Sequence, residues 1–328
     1  MKDRMTRKKT QSAPSKASAK KQPSPRSSPL PTVSPWGLAG ILAAVLAAAV
    51  VCAWLALCFM FWQGNWQLLY HPTAALNRTP ANVAVPFEPV AFATTEAGIS
   101  RLKGWWIPAP PGARDSRFTA LYLHGANGNL GDSVDALAQL HAAGVNILAF
   151  DYRGYGQSQF VPPSEAHWRQ DADWVLLYLT ATRNVPASSI VLVGNGLGAS
   201  LALEVAAAHP GLAGVVLQQP TESPTDAIFR DPRAQLVPAH LLVRDRYNLA
   251  PVASSLSIPS LWFYWTVTPG QEGTADAPEI FQRVTASKML VWLPSAGDRQ
   301  KQFSDALSRW LDDLPAKAQS HPAQVILK

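Results

Sequence analysis

The sequence predicts an α/β domain, with a mostly parallel central sheet and helices on both faces, preceded by one transmembrane helix. Three observations lead to this fold class. An uncharged run of 27 residues, Trp36–Trp62, lies near the amino end. After this run, short apolar segments alternate with amphipathic ones as far as residue 314. Several short segments are apolar along their whole length, which is typical of parallel strands buried on both faces.

The net charge of +6 is concentrated in the first 35 residues. Residues 1–35 hold nine of the 28 Lys and Arg and one of the 22 Asp and Glu, so they carry +8 and the rest of the chain carries −2. Rich in Ser, Pro, Lys and Ala, this stretch cannot bury enough apolar surface to fold, which predicts a disordered tail. Because the excess of basic residues is confined to the tail, we do not expect nucleic acid as a partner.

Trp36–Trp62 predicts a transmembrane anchor. As a helix it would be about 40 Å long, which exceeds a hydrocarbon core of about 30 Å. A cleaved signal peptide has a shorter apolar stretch, and a buried core helix of this length rarely lacks a polar face. Both cysteines, Cys52 and Cys58, lie inside the run, so no disulfide is expected beyond it.

Nine basic residues precede the anchor, and none follows it before Arg78. The positive-inside rule therefore places residues 1–35 in the cytoplasm and residues 63–328 outside the cell membrane, in the periplasm if the source is bacterial. The tail is also suited to contact anionic lipid headgroups on the cytoplasmic side.

Apolar runs and helical periodicity predict the elements of residues 63–328. Short runs of apolar residues predict eight strands, at Val90–Thr94, Lys103–Ile107, Phe118–Leu123, Asn146–Phe150, Ser189–Val193, Gly214–Gln218, Ser260–Trp265 and Met289–Leu293. Longer amphipathic stretches predict four helices, at Asp135–Ala143, Ser164–Thr182, Leu197–His209 and Phe303–Leu314. Strands and helices alternate, as the parallel sheet requires.

Three glycine-bearing segments lie at the carboxyl ends of predicted strands. They are LYLHGANGN (121–129), FDYRGYGQS (150–158) and GNGLG (194–198). In an open α/β sheet, the loops at this edge build the functional site. A fourth segment, LLVRDRYNLAPVASSLSIPSL (241–261), precedes a late strand.

Taken together and in this order, these segments resemble the α/β-hydrolase superfamily over about Trp66 to Leu314. They are most similar to its lid-poor, membrane-anchored serine hydrolases, related to serine aminopeptidases and monoacylglycerol lipases. In that family a Ser lies at the centre of G-x-S-x-G, on a strained strand-to-helix turn. Here the centre of the motif is Gly196, which has no side chain to attack a substrate.

The resemblance also locates the other two members of the catalytic triad. The acid position corresponds to Thr268, although a longer loop would offer Glu272 or Asp276. The base position corresponds to Asp298, where the family has His. A hydroxyl nucleophile, an imidazole and an orienting carboxylate are all needed for this chemistry. The substitutions at these positions indicate that the triad is lost.

Further roles are implied by the resemblance. The backbone N–H groups of Ala126 and Leu197 match the oxyanion-hole positions, and His124 would support the oxyanion loop through structural hydrogen bonds. Asp151 and Arg153 are expected to form an ion pair that stabilises a loop. Ser200 lies one helical turn beyond the elbow, about 6 Å away, and is expected to be a packing residue rather than a substitute nucleophile.

No metal or cofactor is expected. The seven His are scattered, and HExxH and cysteine clusters are absent from the sequence. Gly194-x-Gly196-x-x-Ala199 matches the spacing of a dinucleotide fingerprint. That fingerprint expects an acid at the end of the next strand, where this chain has Gln218-Gln219.

We therefore predict a membrane-anchored pseudo-hydrolase with a binding or scaffold role. Its partners would be the membrane and either a lipid-like or acyl ligand or another protein. The alternative is an active esterase, lipase or peptidase with a non-standard nucleophile. Whether the chain is an enzyme stays open at this point, with the three substituted triad positions favouring a catalytically silent protein.

Overall fold

Eight strands form the central sheet of the computed structural model, which describes residues 34–265, 277–294 and 298–314. Strands β1 to β8 are Glu88–Thr94, Ser100–Ile107, Thr119–Leu123, Asn146–Asp151, Ile190–Asn195, Gly214–Gln218, Ser260–Trp265 and Lys288–Leu293. Their order in space is β1-β2-β4-β3-β5-β6-β7-β8. Strand β2 runs antiparallel to β1 and β4, and the other neighbouring pairs are parallel. The predicted, mostly parallel sheet is confirmed.

Helices cover both faces of this sheet. Helices α1 to α9 are Pro35–Gly64, Val134–Ala142, Glu165–Leu177, Leu197–Ala208, Asp226–Phe229, Ala239–Leu242, Leu249–Ser255, Glu279–Arg283 and Arg299–Asp313. Leu121 of β3 packs into one hydrophobic core with α3, α4 and α7, whereas its neighbour Tyr122 packs into a second core with α2 and α9. This alternation follows from the two-residue period of a strand.

Helix α1 is the one helix of the described residues that is long and apolar enough to cross a membrane. Its 30 residues are uncharged. The chain divides into two compact units, Met1–Ala53 and Trp54–Lys328, and their boundary falls within α1. Every side chain of residues 35–53 is exposed. A fully exposed, apolar helix of this length is unfavourable in water.

The structure departs from the predicted elements in two respects. The helix predicted over Ser164–Thr182 changes from α-helix to one π-helical turn at Tyr178–Thr182. There the Thr180 hydroxyl donates to the Leu176 carbonyl at 2.9 Å, a side-chain bond that competes with the regular backbone ladder. Helices α5 to α8 have four to seven residues each, too short for a helical period to be recognised.

Helix α4 begins in unusually close contact with the backbone of the neighbouring strands. A Cβ atom on Gly198 would overlap the carbonyl oxygens of Leu123 and His124, at the end of β3. A Cβ atom on Gly194, the fifth residue of β5, would overlap the backbone of Gly198 and Ala199. Two glycines four residues apart therefore allow the turn between β5 and α4 to pack against β3.

We expect Gly198→Ala to lower the free energy of unfolding by about 1–3 kcal/mol, because the added methyl group forces the backbone of β3 and α4 apart. Chemical denaturation of the full chain in detergent measures this change. Gly211→Ala is the matched control, since a Cβ atom there has no neighbour within 4 Å. Equal stability of the two variants would contradict the close-packing account.

Candidate functional site

The turn between β5 and α4 has the shape of a nucleophile elbow. Its central residue, Gly196, has φ +55° and ψ −119°, a conformation that is strained for a residue with a side chain. The Gly196 N–H donates to the Gln218 carbonyl at 2.8 Å, and the Gly196 carbonyl accepts from the Ala199 N–H at 3.0 Å. A Cβ atom on Gly196 would have nothing within 4 Å. The turn thus keeps both the positive-φ backbone of an elbow and the space for one side chain.

Gly196 lies at a cavity of about 500 Å³ at the carboxyl edge of the sheet. Apolar side chains and polar groups share its wall: Leu69, Tyr122, Gly125, Ala126, Asn127, Asp132, Ser133, Ala136, Asn195, Gly196, Leu197, Thr221, Pro224 and Ala227. We call this space the elbow cavity. Of the residues predicted for the site, Gly196, Ala126 and Leu197 are brought together here.

The two predicted oxyanion-hole residues have backbone N–H groups without a protein acceptor among the described residues. The loop that carries Ala126 is held from both sides, since its carbonyl accepts from the His71 N–H at 2.9 Å and from the Tyr155 hydroxyl at 2.8 Å. Leu197 is the first residue of α4, where the helix dipole favours negative charge. The arrangement therefore suits a polarised oxygen.

His124 does not line the elbow cavity; it is buried, with 1% of its surface exposed. Its ring packs against those of Tyr152, Tyr155 and Trp168, and its Nδ1 lies 2.8 Å from the Gly125 carbonyl oxygen. Burial lowers the pKa of His124 to about 4, so the imidazole is neutral at pH 7. These contacts place His124 in the hydrophobic core, and its support of the oxyanion loop stays a prediction.

The predicted ion pair between Asp151 and Arg153 is wrong. The Arg153 side chain pairs with Asp171 of α3, at 2.5 Å from Nε to Oδ1, and the Arg153 N–H donates to the other carboxylate oxygen at 2.8 Å. Asp151 accepts from the Leu130 N–H at 2.7 Å and lies 3.6 Å from Nε2 of His124. Arg153 pairs with Asp171 because α3 presents that fully buried carboxylate, which needs a cation.

Burial also sets the protonation of the two carboxyl groups. It raises the pKa of Asp151 to about 7, while that of Asp171, beside Arg153, rises to about 6. Nε2 of His124 has no hydrogen-bond partner among the described residues. Beneath the site, then, His124 is neutral and Asp151 is partly protonated at neutral pH.

The predicted acid and base positions are not part of the described cavity wall. Thr268, Glu272 and Asp276 lie outside the described residues. Asp298 precedes α9, is exposed, and uses its backbone carbonyl to accept from the Gln302 N–H at 2.9 Å. Ser200 is fully buried in α4 and does not line the cavity; its hydroxyl donates to the Thr221 carbonyl at 3.4 Å. It is the packing residue that the sequence indicated.

Sequence reasoning missed five polar residues of the elbow cavity. Asn127 follows β3, Asn195 is the last residue of β5 and Thr221 follows β6, so the carboxyl-edge rule would have found them. Asp132 and Ser133 belong to a short 3-10 turn after β3, which carries no periodic signal. Within the described ranges, 34–265, 277–294 and 298–314, no group of three His, Cys, Asp or Glu residues could hold a metal.

Comparisons with known proteins agree with this architecture. The model of the "Alpha/beta hydrolase family" matches residues 120–327. The chain is 26% identical over 250 residues to the uncharacterized protein Rv2307c of Mycobacterium tuberculosis, covering 74% of this chain and 84% of that one. With the uncharacterized protein YfhR of Escherichia coli K12 it shares 27% over 214 residues, covering 63% and 72%.

Two solved structures show the same fold. The Pyrococcus furiosus esterase PF2001 superposes with a TM-score of 0.55 at 18% identity, covering 74% of this chain and 97% of that one. An alpha-beta hydrolase from Vibrio vulnificus gives a TM-score of 0.53 at 21% identity, covering 70% and 82%. At these identities the likeness concerns the fold alone.

We expect Asp151→Asn to gain stability relative to the unsubstituted chain as the pH rises from about 4 to about 7. Because the folded-state pKa of Asp151 lies above its ordinary 3.8, the folded chain binds more protons in this window and loses stability as the carboxyl ionises. Asn cannot ionise and still offers an oxygen to the Leu130 N–H. Denaturation at several pH values should show the difference growing by an amount on the order of 1–4 kcal/mol.

His124 acts in the opposite direction. Its pKa is lowered from 6.5 to about 4, so it makes the fold more stable as the pH rises through that range. Both chains retain His124, so this contribution largely cancels in the comparison. A difference that stays constant with pH would contradict the buried, partly protonated state of Asp151.

Proposed function

The chain belongs to the alpha/beta hydrolase family, and we propose that it is a membrane-anchored member that binds a ligand in the elbow cavity without hydrolysing it. The observation that carries this proposal is Gly196. Acyl transfer by this fold needs a nucleophile at the elbow, and glycine provides none. The elbow backbone nevertheless keeps the strained conformation that presents such a group.

The other residues of the cavity wall support a site without hydrolytic activity. Its described lining contains no imidazole that could take a proton from a hydroxyl group. His124, which directly precedes the wall residues Gly125 and Ala126 in the sequence, is neutral and buried and does not line the cavity. The hydroxyl groups of Ser133 and Thr221 therefore lack the general base that a serine-type mechanism requires.

A ligand with a carbonyl oxygen suits what the elbow cavity retains. The free backbone N–H groups of Ala126 and Leu197 would donate to that oxygen. Apolar side chains such as Leu69, Pro224 and Ala227 would contact a short acyl or lipid-like chain. The proposed role is thus recognition of an acyl compound, with Gly196, Thr268 and Asp298 at the positions that correspond, by the sequence resemblance, to the catalytic groups of the family.

We propose the same topology that the charges predict. Residues 1–35 would form a cytoplasmic tail, residues 36–62 the anchor, and residues 63–328 the domain outside the membrane. The exposed, uncharged surface of α1 supports an apolar surrounding for this helix. The basic residues that precede it support the orientation.

Purified full-length chain is expected to hydrolyse short p-nitrophenyl esters no faster than buffer and to resist labelling by a fluorophosphonate. Installing the triad as Gly196→Ser, Thr268→Asp and Asp298→His should raise ester turnover above that background. The free space around Gly196 admits the new hydroxyl group. The control carries Gly196→Ala with the same two partner substitutions.

Turnover or stoichiometric labelling of the unsubstituted chain would contradict the proposal. If Ser200→Ala or Asp298→Asn then abolished that activity, the chain would be an enzyme with a non-standard nucleophile. An inactive triad variant that still folds would instead show that the pocket has changed beyond its three catalytic positions.

Ligand binding is tested by filling the cavity. Ala136→Phe places a ring in the cavity wall, whereas Gln139→Phe adds the same ring on the same helix outside the wall. With butyramide as a soluble carbonyl probe, saturation-transfer NMR should detect binding to the unsubstituted chain and to Gln139→Phe. We expect at least a severalfold weaker signal for Ala136→Phe, and equal signals would contradict binding at the elbow cavity.

A further inference from the structure

The last turns of α1 contact a segment that is distant in the sequence. Nε1 of Trp54 donates to the Leu236 carbonyl at 3.1 Å. Cys58 and Phe61, on the same face of the helix, are buried in the core of the domain. Trp54 precedes Trp62, the end of the predicted anchor, by eight residues, or about 12 Å along the helix axis. The domain therefore covers one side of the anchor well before its predicted end.

The opposite side of these turns remains apolar and uncovered. Leu55, Phe59 and Met60 are 54%, 56% and 69% exposed. Their burial in lipid would be favourable, and their contact with water unfavourable. A bilayer that covers this side reaches at least to the level of Met60, which lies beyond Trp54. Leu236 is then held at a depth where lipid is present.

The segment Phe229–Arg246, which we call the anchor-side segment, has a surface suited to such a position. Two of its leucines, Leu236 and Leu241, are 61% and 82% exposed. Four exposed arginines accompany them: Arg230, Arg233, Arg244 and Arg246. Exposed leucines beside arginines are typical of surfaces that enter the boundary between headgroups and acyl chains.

Two of these arginines have no carboxylate partner among the described residues, and the Nη2 of one of them, Arg246, donates to the His240 carbonyl at 3.0 Å. Arg230 and Arg233 pair with neighbouring aspartates. Arg244 and Arg246 form no ion pair with a carboxylate among the described residues. The Arg244 guanidinium lies over the Trp62 ring, 5.2 Å from its centroid. Trp62, Arg244 and Arg246 also line a cavity of about 580 Å³ beside the anchor.

From these contacts we propose that the anchor-side segment dips into the outer leaflet next to α1, with Leu236 and Leu241 among the acyl chains and Arg244 and Arg246 at the lipid phosphates. This inference rests on the proposed anchoring of the chain. It goes further, because an anchored domain could equally be held away from the bilayer surface by the residues that follow Trp62.

Depth-dependent quenching tests the position of the segment. The full chain, with Cys52→Ala and Cys58→Ala, carries one fluorophore at Leu236→Cys or, separately, at Leu241→Cys. It is reconstituted into vesicles of phosphatidylcholine and phosphatidylglycerol with brominated acyl chains. Leu177→Cys is the matched control, since Leu177, a leucine on α3, is 62% exposed, as Leu236 is at 61%. Leu46→Cys reports on the anchor itself.

We expect the fluorophores at positions 236, 241 and 46 to lose most of their emission in brominated vesicles, and the one at 177 to keep it. Quenching at 46 with positions 236 and 241 as bright as 177 would overturn the proposal and leave the anchor intact. Bright fluorescence at 46 would overturn the anchoring itself. Equal quenching at all four positions would also overturn the proposal, since the segment would then have no special depth.

Discussion

The close approach of the β5–α4 turn to the end of β3 is the constraint on which the site depends. Gly194 and Gly198 are needed because a side chain at either position would overlap neighbouring backbone. The same contact brings the amide of Leu197 and the loop of Ala126 to one cavity. Only at Gly196, among these three glycines, would a Cβ atom meet open space. Packing thus explains the outer two glycines of the motif, whereas it does not require a glycine at position 196.

The features that the sequence could predict are those set by residues close together in the chain, and the features that it could not predict depend on residues far apart in the chain. Apolar runs such as Gly214–Gln218 are determined by local burial, and the structure has that strand with the same bounds. The partner of Arg153 could not be foreseen, because the nearby Asp151 competes with Asp171, 18 residues away, and only the packing of α3 decides between them. The wall residue Asp132 lies in a short turn whose position is set by tertiary contacts.

Buried polar groups beneath the site are stabilised in two different ways. Asp171 forms an ion pair with Arg153, whose guanidinium also lies over the ring of Trp174. Asp151 faces a neutral imidazole instead, and burial favours its protonated form. Both arrangements offset the free-energy cost of removing a carboxylate from water. Neither Asp151 nor Asp171 lines the elbow cavity, so these two carboxyl groups are explained by the stability of the loops.

The hydrogen bond from Trp54 to Leu236 joins helix α1 to the connection between β6 and β7. Leu236 belongs to the connection between β6 and β7, and so does Ala227, which lines the elbow cavity. A helix changes its tilt when the bilayer becomes thinner or thicker. Such a tilt would pull on this connection and deform the outer wall of the cavity. In the proposed anchored state, the affinity of the elbow cavity for its ligand would then vary with the thickness of the bilayer.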